Sequence, residues 1–145
     1  MSTANDLQFV PELRAVINRF IKKLRKESPS GLQLSATERS TMAQLYQHKA
    51  LQPSELAAME MVTNQSMSQV LNHLSELCFI IRVPSKTDKR KVNISLSAEG
   101  ETKLLQFRNE RDEWMAKAIS EACTAEEQMI LKQVIEPLAK LVDYK

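Results

Sequence analysis

The sequence predicts a mainly α-helical chain with one small β-hairpin, and three observations predict it. Only two of its 145 residues are glycine, Gly31 and Gly100, against roughly 7 % in average proteins. Apolar residues recur at the 3.6-residue helical period along most of the chain. The period drops to two in a single stretch around residues 79–96. Two isolated glycines cannot write G-x-G-x-x-G or G-x-x-x-x-G-K-[ST], which disfavours a Rossmann or P-loop enzyme. A many-turned all-β fold is disfavoured for the same reason. At 43 % hydrophobic and 26 % charged, the chain has the size and composition of one domain with a real core.

Each element follows from local pattern. Val10, Leu13, Val16, Ile17, Phe20, Ile21 and Leu24 form one apolar stripe, predicting a first helix over about 7–26. Ser28-Pro29-Ser30-Gly31 breaks it. Ser35-Ala36-Thr37-Glu38 is a capping box opening a second helix, 36–48, which should bury Met42, Leu45 and Tyr46. Pro53 suits the first position of a short third helix, about 53–60. Thr63 caps a fourth, 64–77, with Met67, Val70, Leu71, Leu74 and Leu77 facing inward. Two helices joined by a short turn, the second polar on its outer face, form a helix-turn-helix. Phe79–Val83 and Val92–Leu96 then alternate as two strands around a basic tip, and residues 82–91 hold five Lys/Arg and one Asp. A basic hairpin directly after a helix-turn-helix makes a winged helix. Ser97 caps a fifth helix, about 98–121, with Leu104, Phe107, Arg111 and Trp114 along one side. A second capping box, Thr124-Ala125-Glu126-Glu127, opens a sixth helix carrying another apolar stripe and Pro137, which should bend it.

Charge and chemistry narrow the function. Residues 1–49 carry eight Lys/Arg and four Asp/Glu, whereas residues 98–145 carry seven and ten, so a chain of net charge +2 is basic in front and acidic behind. No apolar run reaches 18 residues and the first residues are polar, so no membrane span or signal peptide is expected and the cytoplasm is the expected compartment. Cys78 and Cys123 form no C-x-x-C and are expected to be reduced, buried and inert. His48 and His73 lack neighbouring ligands at metal-binding spacing, no Ser sits in a nucleophile motif, and neither cofactor nor catalysis is expected. Seven methionines, four of them (Met42, Met59, Met61, Met67) in the central helices, suit core filling or an adaptable pocket.

The candidate binding residues fall in three groups. Asn64, Gln65, Ser66, Ser68, Gln69, Asn72 and His73 line the fourth helix, and residues 63–75 contain no Lys, Arg, Asp or Glu. An ordinary exposed helix carries Lys and Glu; a neutral amide-rich face suits base-edge reading, with Asn and Gln pairing to adenine. Arg82, Lys86, Asp88, Lys89, Arg90 and Lys91 form the wing. A guanidinium fits a narrow, negative minor groove, and a nearby carboxylate pre-orders its fork. Ser35, Thr37, Arg39 and Thr63, with Lys86 and Lys91, are candidate phosphate contacts near helix starts and the wing.

The centre of the chain resembles the MarR family of bacterial transcription regulators. Pro53-Ser54-Glu55-Leu56-Ala57 is similar to the start of the family's third helix, and Ser66–Leu74 to its recognition helix. Asp88-Lys89-Arg90 and then Val92–Gly100 resemble its wing signature. The family usually has Gly where this chain has Cys78, at the hinge between recognition helix and wing. The resemblance implies residues 35–97 as the winged helix-turn-helix, and residues 1–34 with 98–145 as a dimerisation region. It also implies a homodimer on a pseudo-palindromic operator in double-stranded DNA, with Arg90 in the minor groove held by Asp88. A repressor released by a small aromatic or other organic effector is the expected activity. A helical protein-interaction adaptor without DNA binding is the alternative, since fold does not fix function.

Overall fold

The computed structural model describes residues 4–31 and 33–145; part of the polar start of the chain lies outside them. Among the described residues run α1 (Val10–Lys26), α2 (Ala36–His48), β1 (Ala50–Leu51), α3 (Pro53–Met59), α4 (Asn64–Glu76), β2 (Ile80–Pro84), β3 (Val92–Leu96), α5 (Ala98–Ala122) and α6 (Ala125–Asp143). Short 3-10 turns stand at Ala4–Leu7 and Pro29–Gly31. The helical class and the hairpin are as the sequence predicts. The first helix starts at Val10, the first residue of the apolar stripe and three residues after the predicted start, behind the first 3-10 turn.

Caps place the helix starts. Ser35 Oγ accepts from Glu38 N–H at 3.1 Å while Glu38 Oε1 accepts from Ser35 N–H at 2.9 Å. Thr124 and Glu127 repeat the exchange at 3.2 and 2.9 Å. Each box satisfies two amides that a helix start leaves unpaired. α6 runs on through Pro137.

The two helices of the helix-turn-helix end alike. After α3, Val62 N–H reaches Ala57 O at 3.0 Å and Met61 N–H reaches Ala58 O at 3.2 Å. After α4, Phe79 N–H reaches Leu74 O and Cys78 N–H reaches Ser75 O, both at 2.9 Å. Both are Schellman closures, which put one residue in the left-handed region, usually glycine. Here those residues are Met61 (φ 53) and Cys78 (φ 64). Phe79 and Leu74 are both buried, supplying the apolar contact that accompanies the motif.

The sheet is antiparallel in the order β1-β3-β2. β2 and β3 pair from Ile80↔Leu96 to Pro84↔Val92. The two-residue β1, absent from the sequence reading, pairs Leu51 with Ile94. Ile94 is fully buried between them.

The core lies under the helix-turn-helix and the first half of α5. Leu34, Met42, Leu45, Leu56, Met67, Leu71, Leu74, Ile94, Leu104 and Phe107 are all at most 1 % exposed. The broken segment after α1 is pinned to α5: Ser28 Oγ donates to Phe107 O at 3.1 Å, and Ser30 N–H and Oγ reach Glu110 Oε2 at 3.1 and 2.9 Å. α1 and α6 contribute no buried residue among those described.

Two burial expectations are corrected. Tyr46 is 42 % exposed, at the margin of the core where Arg108 of α5 lies over its ring. Cys78 is exposed and Cys123 half-buried, because one forms a helix-ending turn and the other the C-cap of α5.

Candidate nucleic-acid interface

α4 presents two faces because apolar and polar residues alternate at helical spacing. Met67, Leu71 and Leu74 are buried, while Asn64, Gln65, Ser66, Ser68, Gln69 and Asn72 are exposed. Gln65, Gln69 and Asn72, at i, i+4 and i+7, make one outward stripe. Thr63 Oγ1 accepts from Ser66 N–H and donates to Ser66 Oγ, both at 3.0 Å. These two hydroxyls thus close the helix start.

His73 stands apart from the stripe. Its Nδ1–H donates to Glu38 Oε2, tying α4 to α2. Burial raises the Glu38 carboxyl pKa, but hydrogen bonds from the Ser35 N–H, His73 and the Ser35 hydroxyl outweigh it and hold the group below its ordinary value. Its environment gives His73 the role of helix-to-helix tie.

The wing tip is ordered by Asp88. Its Oδ1 accepts from Arg90 N–H at 3.0 Å and from Arg90 Nε–H at 3.4 Å, while Arg90's side chain is 92 % exposed. Ser85 N–H to Lys91 O at 2.8 Å and Lys91 N–H to Asp88 O at 3.0 Å close the loop. Lys86, Lys89 and Lys91 are exposed around it. Arg82 stands at the middle of wing strand β2, opposite Ile94, and reaches back to α4. Its Nη2–H donates to Asn72 Oδ1 at 3.0 Å and its Nε–H to Ser75 Oγ at 3.4 Å.

Of the expected phosphate contacts, Ser35 and Thr63 are exposed and Thr37 half-buried, and both exposed hydroxyls already accept a capping N–H. Arg39 is a correction. It is 7 % exposed, turned inward from α2, with its guanidinium 5.9 Å from the centre of the Phe107 ring. A phosphate on the outer surface is out of its reach.

Arg39 belongs to a second site that the sequence reading missed. It lines a cavity of about 310 Å³ with Arg25, Arg108 and Arg111, walled by Ile21, Leu24 and Leu104. Its Nε and Nη2 are buried without a partner among the described residues. Burial, and then the charges of Arg25 and Arg111, lower the Arg39 pKa. One signal lay in the sequence: Arg111 interrupts the apolar side of α5. The convergence of α1, α2 and α5 on one cavity is tertiary. No group of three His, Cys, Asp or Glu that could hold a metal occurs among the described residues. No helix there is long and apolar enough to cross a membrane.

Comparison with known proteins agrees with this geometry. The family model described as MarR family matches residues 34–92. An HTH-type transcriptional regulator of Mycobacterium tuberculosis is 29 % identical over 96 % of both chains. The crystal structure of a putative transcriptional regulator from Pseudomonas aeruginosa superposes with TM-score 0.85 at 25 % identity, over 99 % of this chain and 100 % of that one. A mutant MarR from E. coli complexed with operator DNA shares the fold, at TM-score 0.66 and 20 % identity over 95 % and 99 %.

Proposed function

From the match of residues 34–92 to the MarR family model and the likeness over the whole chain to HTH-type regulators, we propose that this chain is a MarR-family homodimeric repressor that binds a pseudo-palindromic DNA operator and releases it when a small organic anion binds. The observation that carries DNA recognition is an uncharged, hydrogen-bonding stripe on α4 joined through Arg82 to a wing whose tip presents Arg90. α4 enters the major groove, and Arg90, with its fork pre-ordered by Asp88, enters the adjacent minor groove. Two-fold symmetry puts half-site centres about one helical turn apart, roughly 34–36 Å.

Titration of the duplex upstream of its own gene against a scrambled duplex tests this. The native duplex should bind tighter, with affinity falling steeply as salt rises. Arg90→Ala should weaken specific binding by about 1–3 kcal/mol. Equal affinity for both duplexes would sink the repressor reading.

The arginine-lined cavity supports the effector. A buried guanidinium with unused donors is costly, and an anion with an apolar body satisfies both it and the Ile21, Leu24 and Leu104 walls. Millimolar benzoate, as a probe, should raise the melting temperature of the wild-type chain and leave Arg39→Met unmoved. Equal shifts in both chains would remove Arg39 from the effector site.

A further inference from the structure

Asn72 and Arg82 are joined by a side-chain hydrogen bond between α4 and β2. Asn72 continues the outward stripe of Gln65 and Gln69, so its amide is placed with theirs. A guanidinium only donates, so the Asn72 atom 3.0 Å from Arg82 Nη2 is its acceptor, Oδ1. Bidentate pairing of Asn with adenine needs Oδ1 to accept from N6–H while Nδ2 donates to N7. Oδ1 keeps a second lone pair, but the guanidinium beside it presents its remaining N–H groups to the same space. An incoming adenine amino group therefore meets donors and a positive charge. Guanine shows two acceptors, O6 and N7, on the same edge. The Nδ2–H₂ of Asn72 and the free N–H groups of Arg82 match them. Arg82 is also the cation directly hydrogen-bonded to a helix face that has none of its own over residues 63–75.

We propose that Arg82 is a specificity-determining residue that converts Asn72 from an adenine reader into a donor-only reader of a guanine edge. This rests on the DNA-binding reading above. It assigns the second half of α4 to a G·C pair in each half-site, and it places Arg82 in the major groove while Arg90 takes the minor groove.

The test is selection from a randomised duplex pool at fixed salt, using the full chain as wild type, R82M and N72A. The wild type should enrich a half-site containing a guanine whose preference falls roughly tenfold or more in R82M, with adenine gaining at that position. N72A should disturb the same base pair. Because Asn72 is exposed on an otherwise complete helix, N72A keeps the test decisive if R82M fails to fold. Loss of an adenine preference in N72A overturns the proposal. So does an unchanged consensus in R82M, or a uniform loss of affinity for every sequence, which would mark a phosphate contact. A wild-type chain that enriches no sequence overturns the regulator reading as well, whereas an enriched consensus indifferent to both substitutions overturns only this one.

Discussion

At the residue scale, glycine is missing from left-handed positions where the backbone favours it. Met61 and Cys78 occupy left-handed turns at φ 53 and 64, each at a cost of roughly 1–2 kcal/mol without glycine. Cys78→Gly should therefore raise unfolding stability by about 1 kcal/mol in urea titration, and an unchanged midpoint would show the turn to be unstrained. Gly100 is the opposite case. A Cβ there would stand 2.0 Å from Phe79 O, the carbonyl that accepts Ser97 N–H at 3.0 Å. Gly100→Ala should cost about 2 kcal/mol or more and lower the melting temperature measurably, because backbone rather than a movable side chain blocks it. Glu38 makes a pH prediction. Its pKa is lowered in the fold, so its contribution is complete above the ordinary value of 4.5 and is lost as pH falls through the lower folded value. The stability gap between wild type and Glu38→Gln should narrow below that pH in urea unfolding; a constant gap would contradict the assignment.

At the element scale, local signals predicted most helix starts and long-range contacts set their use. The two Ser/Thr capping boxes, Pro53 and Thr63 act within four residues, so they are visible in sequence and stand in the structure where the pattern put them. β1 was not legible because two residues carry no periodicity; only pairing with β3 makes Ala50–Leu51 a strand. Arg82 shows the same limit within the site. Its place on a wing strand is legible in sequence, but only the fold shows that its side chain, at the middle of the β2–β3 ladder opposite Ile94, lies against Asn72. Arg39 was misread because a charged residue at a helix start commonly faces solvent, and only the packing of α5 on α2 shows it turned inward.

At the scale of the whole molecule, the exposed apolar stripes call for a partner. Val16, Phe20 and Ile21 on α1 and Ile130, Ile135, Leu141 and Val142 on α6 are 42–83 % exposed. Exposed apolar stripes of this kind mark interaction faces, and two-fold pairing through α1 and α6 would cover them. Sedimentation at micromolar concentration should give a dimer. Ile135→Asp should shift it towards monomer and weaken operator binding with it, and a stable wild-type monomer would refute the arrangement. By itself the sequence determined the helical class, the helix-turn-helix, the wing and its Asp88–Arg90 pair, because each rests on periodicity, capping or near-neighbour chemistry. Only the tertiary structure decided which charges face outward, where Arg82 and His73 are bound, and that four arginines share one cavity, because burial and convergence depend on residues far apart in the chain.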